Sequence, residues 1–276
     1  MPFATEGAVV AGVDGSSSAL DAALWAGAEA ARRQLTLRLV HTYTIPVVRA
    51  PIALPSAEMM REGFESRGLE WLSEAKNAVH QRWPDLPVET AAREWNPVAA
   101  LVQESLSATM VVLGSRGLGG FAGLLIGSTA TALAAHGHCP VVIARGASPL
   151  PVEGPVVVGA DGSTASRAAV GFAFEEAALR GASLTAVHTW TDLVDEDPAN
   201  LIAAWQNKYP DVTVDYILSR GKPRQALLDA AANAQLLVVG SRGLGGFKGM
   251  LLGSTSQALI THAPCPVAVV RPALQP

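Results

Sequence analysis

The chain has 276 residues, of which 49% are hydrophobic and 16% are charged, and its length predicts two domains, because natural domains usually run to roughly 100–200 residues. The formal net charge is -4 and no long basic run occurs, which argues against a nucleic-acid surface, since phosphate binding depends on clustered Lys and Arg. No apolar run approaches the ~20 residues of a membrane span, and the first residues lack the features of a secretory signal, so we expect a cytoplasmic protein without a membrane partner.

The first half of the chain alternates strand-like and helix-like segments. A continuous apolar run at residues 8–13 is typical of a strand covered on both faces, and Asp14 with the serines that follow it can cap the next helix. Such alternation predicts a doubly wound, mostly parallel sheet that binds ligands beyond the carboxyl ends of its strands. In chain order we predict strands at 8–13, 36–41, 88–93, 110–114 and 141–144, and helices after Asp14 and at 57–81, 97–105 and 128–135.

The second half of the chain repeats the first. Residues 9–43 recur at 156–190 with an offset of 147 residues, whereas 20 of the 32 residues at 114–145 recur unchanged at 240–271 with an offset of 126. The second copy is therefore 21 residues shorter, between its second and third strands. We predict two tandem α/β domains at residues 1–147 and 148–276, each a doubly wound five-stranded parallel sheet, joined by a Pro/Gly-rich linker.

A glycine-rich loop with the pattern G-x2-G-x9-G-S follows the fourth strand of each copy. Its first glycine, Gly114, ends a buried strand, and its last, Gly127, precedes a helix. The N–H groups and dipole of a helix start favour an anion, to which Ser128 and Thr129 add hydroxyl donors and Arg116 adds a positive charge. The loop therefore predicts a binding site for phosphate groups. Its glycine spacing matches neither a Walker A loop nor the G-x-G-x-x-G dinucleotide fingerprint. A loop whose glycines only allow the chain to turn remains an alternative. The first loop also contains Gly117, and the equivalent residues of the second loop are Gly240, Arg242, Gly243, Gly253, Ser254 and Thr255.

Residues at the ends of the first two strands can complete a nucleotide site. Asp14, and Asp161 in the second copy, can accept a hydrogen bond from a ribose hydroxyl or can cap the helix that follows, and the two roles are compatible. The backbone of Thr42 or Thr189 can meet the edge of an adenine ring.

Histidines and cysteines recur at equivalent positions, and we expect structural roles for them. His41 and His188 end apolar strands, which favours hydrogen-bonded core histidines. Cys139 and Cys265 indicate small buried residues ahead of a strand rather than a disulfide framework. His136, His138 and Cys139 lie close together in the sequence and could suggest a metal site. The second copy keeps only His262 and Cys265 of that group, so we predict no metal ligands.

Taken together, these motifs resemble those of the universal stress protein family in its tandem two-domain, actinobacterial form. The resemblance covers nearly the whole chain, through both DGS strand ends, both VHT strands, both glycine loops and both CPV strands. It implies a five-stranded parallel fold in each half, a role in the stress response, and binding of ATP, which can carry Mg²⁺. Family members often pair domains through the last strand, which implies pairing within the chain and a homodimer. The implied contacts are Gly12, Val13, Asp14, Thr42, Gly114, Arg116, Gly117, Gly127, Ser128 and Thr129 in the first site, and Gly159, Ala160, Asp161, Thr189, Gly240, Arg242, Gly243, Gly253, Ser254 and Thr255 in the second.

Two features distinguish the copies. Where the second copy has Gly221, near the expected nucleotide, the first has Trp95, whose indole could stack on the base or block it. The residues that the second copy lacks would extend its second helix, so we expect their loss to remove a cover over the adenine. The two sites should therefore differ.

The sequence leaves three functions open. The first is an ATP-binding stress-response regulator with little or slow hydrolysis, because no general base or nucleophile accompanies the loop and no catalytic residue is assigned. The second is an enzyme of the related adenosine-nucleotide α-hydrolase class that forms or hydrolyses an adenylate, which would need a second substrate pocket. The third is an interaction protein with decayed sites, which Trp95 and the missing segment favour and the intact loops oppose.

Overall fold

A computed structural model of the protein describes residues 7–46, 56–118, 125–145, 153–190, 198–244 and 250–272. The middle of each glycine loop and most of the predicted linker lie outside these residues. The elements of the first half are β1 (Val9–Gly12), α1 (Ser17–Arg33), β2 (Leu37–Tyr43), α2 (Ala57–His80), β3 (Val88–Glu94), α3 (Pro97–Glu104), β4 (Met110–Gly114), α4 (Ser128–His136) and β5 (Val141–Ala144). Those of the second half are β6 (Val156–Gly159), α5 (Thr164–Arg180), β7 (Leu184–Trp190), α6 (Pro198–Lys208), β8 (Val214–Arg220), α7 (Pro223–Ala230), β9 (Leu236–Gly240), α8 (Ser254–His262) and β10 (Val267–Val270).

The strands form one ten-stranded sheet in the order β3-β2-β1-β4-β5-β10-β9-β6-β7-β8. Within each half all neighbouring strands are parallel, which confirms the predicted doubly wound α/β fold. The halves join through an antiparallel pairing of β5 with β10, in which Val142 faces its own counterpart Ala268. The two five-stranded sheets are therefore related by an approximate two-fold axis at this seam.

The core lies on both faces of the sheet. Residues of β1 alternate between the faces, so that Val9 and Ala11 pack with α1 and α2 whereas Val10 packs with α3 and α4. The first helix of each half sits close to the sheet because its buried stripe is mostly alanine. This alternation decides which helices can reach a ligand at the strand ends.

A buried ionic cluster links the halves at the seam. Arg180 of α5 donates to Glu29 of α1 at 2.7 Å, and Arg33 of α1 donates to the same carboxylate at 2.9 Å. Both arginines also pair with Glu176, and the four side chains are at most 8% exposed. Glu176 and Arg180 occupy the positions of Glu29 and Arg33 in the repeat, so each half contributes the same complementary pair.

The halves differ most in the second helix. In the first half α2 has 24 residues and packs against β2, where Trp71 meets the ring of His41 edge-on at 5.3 Å between centroids. In the second half α6 has 11 residues, and its Trp205 stacks on Phe174 of α5 at 6.4 Å. The ends of β7 and β8 are less covered as a result.

Candidate functional site

The carboxyl ends of β1, β2 and β4 open into a cavity of about 440 Å³ in the first half. This volume lies in the range of small-molecule sites, roughly 300–1,000 Å³. All ten residues that the sequence predicts for the first site line it. The parallel topology brings them together, because strand ends that are distant in the chain meet at one edge of the sheet.

One wall of the cavity is apolar and was not predicted from the sequence. Val40 of β2, Leu101 of α3 and Leu113 of β4 form it, with Ile126 and Pro97. Val40 precedes Thr42 by two residues, so both side chains point to the same face of β2. The cavity thus has a slot suited to a flat apolar ring beside a polar glycine loop.

Asp14 holds the loop against the end of β1. Its Oδ1 accepts hydrogen bonds from the N–H and the hydroxyl of Ser16 at 3.0 and 2.7 Å, and its Oδ2 accepts from the N–H of Leu118 at 3.0 Å. The N-cap of α1 is Ser16, whose Oγ accepts from the N–H of Ala19. The interpretation of Asp14 as the helix cap is therefore wrong, because the turn places its carboxylate toward the glycine loop instead.

The second half repeats this arrangement. Oδ1 of Asp161 accepts from the N–H of Ser163 at 3.0 Å, and Oδ2 accepts from the N–H of Leu244 at 3.2 Å. Ser163, and not Asp161, caps α5. The remaining predicted residues lie at equivalent places: Gly159 and Ala160 at the end of β6, Thr189 in β7, Gly240 at the end of β9, Arg242 and Gly243 after it, and Gly253, Ser254 and Thr255 at the start of α8.

The second glycine of each loop pattern is required because the aspartate approaches it closely. A Cβ at Gly117 would lie 2.3 Å from Oδ2 of Asp14, and one at Gly243 would lie 2.4 Å from Oδ2 of Asp161. Any side chain here must displace the carboxylate. The same close contact in both halves shows that the two loops share one geometry.

The helices that follow the loops begin without a side-chain cap. Gly127 and Gly253 are the N-cap residues of α4 and α8, and neither helix start has a side-chain cap hydrogen bond. By contrast, serine or asparagine caps α1, α2, α3 and α5. No capping side chain therefore accepts a hydrogen bond from the first N–H groups of α4 and α8, which lie next to the loops. The dipole at a helix start favours an anion at this place.

A second arginine lies near each loop, which the sequence interpretation missed. Arg145 follows Ala144, which pairs with Gly114 in the sheet, and Arg271 follows Val270, which pairs with Gly240. Burial and the charge of Arg116 lower the pKa of Arg145, and burial and the charge of Arg242 lower that of Arg271. Each loop thus carries two cations within electrostatic reach. These arginines could have been identified from the sequence, because they end the two repeated segments at 114–145 and 240–271.

Two expectations about differences between the sites are corrected. Trp95 does not line the cavity of the first half. The residue is 40% exposed, and its backbone N–H donates to the carbonyl oxygen of Tyr43. No residue of α2 lines the cavity either, because α2 packs on the opposite face of the sheet. Shortening of the second helix therefore does not uncover the corresponding face of the second half.

The recurring histidines and cysteines have structural surroundings. Nδ1 of His41 lies 2.7 Å from the carbonyl oxygen of Val13, and His188 makes the equivalent contact to Ala160. Cys139 and Cys265 are buried free thiols. Among the described residues there is no group of three or more side chains that could hold a metal ion.

Both thiols should resist alkylation in the folded protein. Burial raises the pKa of each thiol to about 12, and the thiolate is the reactive form. We expect iodoacetamide at pH 8 to modify the native protein at least about 100-fold more slowly than the unfolded chain, as measured by mass spectrometry. Because the folded pKa is raised, stability should also fall as the pH rises above about 8.5, the unfolded value. Equal alkylation rates in both states would contradict this burial.

A family model and individual relatives both place the chain in one protein family. The model of the universal stress protein family matches residues 7–145, 154–206 and 192–271. A universal stress protein of Mycolicibacterium smegmatis is 38% identical over 98% of both chains. One of Mycobacterium tuberculosis is 35% identical over 96% of this chain and 97% of its own length.

The fold has a counterpart among solved structures. The crystal structure of a universal stress protein from Archaeoglobus fulgidus superposes with a TM-score of 0.75, covering 97% of this chain and 99% of that chain at 22% identity. None of the helices in the described ranges is long and apolar enough to cross a membrane.

Proposed function

Since the chain belongs to the universal stress protein family, we propose that it is an ATP-binding regulatory protein of the stress response with one nucleotide site in each half. The proposal rests on one observation above all. In both halves a strand-end aspartate holds a glycine loop beside a helix start without a capping side chain. In the first half these groups surround a cavity of nucleotide size, about 440 Å³.

The base and the ribose are assigned to the strand ends. The adenine ring would lie against Val40, Leu101 and Leu113, with its edge toward the backbone of Thr42. Asp14 would accept a hydrogen bond from a ribose hydroxyl, since a carboxylate has about four acceptor positions and three are engaged. Gly12 and Val13 would form the floor beneath the nucleoside.

The phosphates are assigned to the loop and the helix start. The backbone N–H groups from Gly127 to Thr129 and the hydroxyls of Ser128 and Thr129 would donate to phosphate oxygens. Arg116 would supply the neutralising charge. The backbone at Gly114 and Gly117, which lies close against Ser18 and Asp14, would line the phosphate site. The second site uses the equivalent residues Gly159, Ala160, Asp161, Thr189, Gly240, Arg242, Gly243, Gly253, Ser254 and Thr255.

Binding rather than rapid catalysis is the proposed activity. Asp14 is the carboxylate that lines the cavity, and its oxygens already accept hydrogen bonds from the protein. A Mg²⁺ ion would therefore be carried by the phosphates, and hydrolysis would be slow at most. The proposal also includes a cytoplasmic location and a homodimer, through which nucleotide binding would influence partner proteins.

The nucleotide released from the purified protein tests this function. Protein isolated from cells without added nucleotide is denatured, and the supernatant is analysed by mass spectrometry; we expect ATP, with ADP if hydrolysis occurs. A variant with Gly117→Val and Gly243→Val serves as the matched control and should release none. Wild-type protein that releases no nucleotide, and binds none after stripping, would refute the proposal. ATP turnover that depends on a second substrate would favour the adenylate enzyme instead.

A further inference from the structure

The outer edge of β8 is an apolar surface that the proposed nucleotide sites do not use. β8 is the last strand of the sheet, and none of the described residues forms a strand on its outer side. Three consecutive residues there, Tyr216, Ile217 and Leu218, are 46%, 38% and 62% exposed. An exposed apolar edge strand is a template for pairing with another chain.

Comparison of β8 with its counterpart β3 shows that the fold does not require large apolar side chains at this edge. The residues of β3 that correspond to Tyr216, Ile217 and Leu218 are threonine followed by two alanines. The second half thus has large apolar side chains where its shorter helix gives less cover. An uncovered strand that faced only water would favour polar or charged residues.

The neighbouring strand extends the apolar surface on the α6 face. Tyr43 of β2 is buried and stacks on Phe64 of α2, but its counterpart Trp190 of β7 is 41% exposed. Strand alternation places Trp190, Tyr216 and Leu218 on one face. The tyrosine hydroxyl, which donates to Gln206 of α6 at 3.4 Å, identifies that face as the one covered by α6.

The other edge of the sheet is unsuited to pairing. β3 carries three charged residues, Glu89, Arg93 and Glu94, whereas β8 carries two, and the longer helix α2 packs against β3. The last strands, through which family members often pair, are already joined to each other inside the chain as β5 and β10. A homodimer of this chain therefore needs a different surface.

We propose that β8 pairs in antiparallel fashion with β8 of a second copy of the chain, with Ile217 on the two-fold axis. This inference rests on the homodimer included in the proposed function, but not on nucleotide binding. In this register Tyr216 lies opposite the partner's Leu218, and Leu218 lies opposite the partner's Tyr216. These pairs cover each other on one face while the two isoleucines meet on the other.

The seam within the chain is a precedent for this pairing. At the seam, Val142 and its counterpart Ala268 face each other across an antiparallel pair. A two-fold axis perpendicular to the sheet places each residue near its own equivalent across an antiparallel pair. Rotation about this axis does not exchange the two faces of the sheet, so equivalent side chains stay on the same face. The proposed β8 contact continues the sheet into the partner by the same geometry.

Cysteine cross-linking tests the register. Facing residues in an antiparallel pair have Cα atoms about 4.5–5.5 Å apart, a distance that a disulfide can span. Ile217→Cys should therefore give a disulfide-linked dimer under mild oxidation. Asp215→Cys is the matched control, because its own counterpart would lie about 13 Å away along the strands. The native thiols are buried, so wild-type protein should give no linked dimer. Cross-linking of Asp215→Cys but not Ile217→Cys would overturn the register.

Sedimentation of a charge variant tests the surface itself. Wild-type protein should sediment at micromolar concentration with twice the chain mass of 28.6 kDa. Leu218→Lys should weaken dimerisation at least about tenfold, because it places two like charges in an apolar contact, whereas Leu69→Lys on exposed α2 should not change it. A wild-type monomer would overturn both this surface and the homodimer. A dimer that Leu218→Lys leaves intact would overturn only the surface, and ATP binding should be equal in all three proteins.

Discussion

Replacing Gly117 with alanine is expected to weaken ATP binding in the first half by about 100-fold, or ~3 kcal/mol. The added Cβ would lie 2.3 Å from Oδ2 of Asp14, which is fixed by the N–H of Leu118. Relieving the clash must displace the aspartate, the loop or both. Isothermal titration of the nucleotide-stripped variant should show one ATP per chain instead of two.

The repeat and a distant glycine supply the controls. Gly243→Ala should remove the second site in the same way, since its Cβ would lie 2.4 Å from Asp161. Gly63→Ala on α2, where a Cβ meets nothing within 4 Å, should leave both sites intact. Full binding by the double variant Gly117→Ala and Gly243→Ala would refute the assigned role of both loops.

Replacing Arg33 with methionine is expected to destabilise the protein by about 3–5 kcal/mol, because it leaves the buried carboxylates of Glu29 and Glu176 with a single arginine, Arg180, between them. Arg33 pairs with Glu29, Glu175 and Glu176, and its side chain is 8% exposed. The free energy of unfolding from urea titration measures the effect. Since the cluster joins α1 to α5, the loss should appear as weaker association of the two halves.

An exposed pair is the control for this prediction. Arg67 pairs with Glu70 on α2 with both side chains more than half exposed, so Arg67→Met should change stability by less than about 1 kcal/mol. Equal effects of Arg33→Met and Arg67→Met would show that the cluster does not hold the halves together.

The sequence predicted the local features of the site because they are encoded by neighbouring residues. The glycine loops, the strand that ends at Gly114 and the helix that starts at Ser128 follow from the spacing of glycines and apolar runs. The duplication strengthened the prediction of a phosphate site, because both loops kept nearly the same sequence while the rest of the two copies diverged. Among the ten predicted residues that line the first cavity, Gly12 and Val13 were implied only by the family resemblance.

Features that depend on packing could not be predicted. Strand periodicity does not state which face a following helix covers, so α2 was expected near the adenine although it lies opposite the cavity. The apolar wall of Val40, Leu101 and Leu113 comes from three separate elements, and only the sheet order unites them. Asp14 and Ser16 are both good helix caps, and the turn geometry selected the serine.

The number of ATP molecules bound per chain tests the central claim most directly. The purified protein is denatured to remove nucleotide, refolded, checked by circular dichroism and titrated calorimetrically with ATP. The two equivalent loops predict a stoichiometry of two, which falls to one in Gly117→Ala and in Gly243→Ala. A refolded protein that releases no binding heat, or a stoichiometry that neither variant changes, would contradict the account.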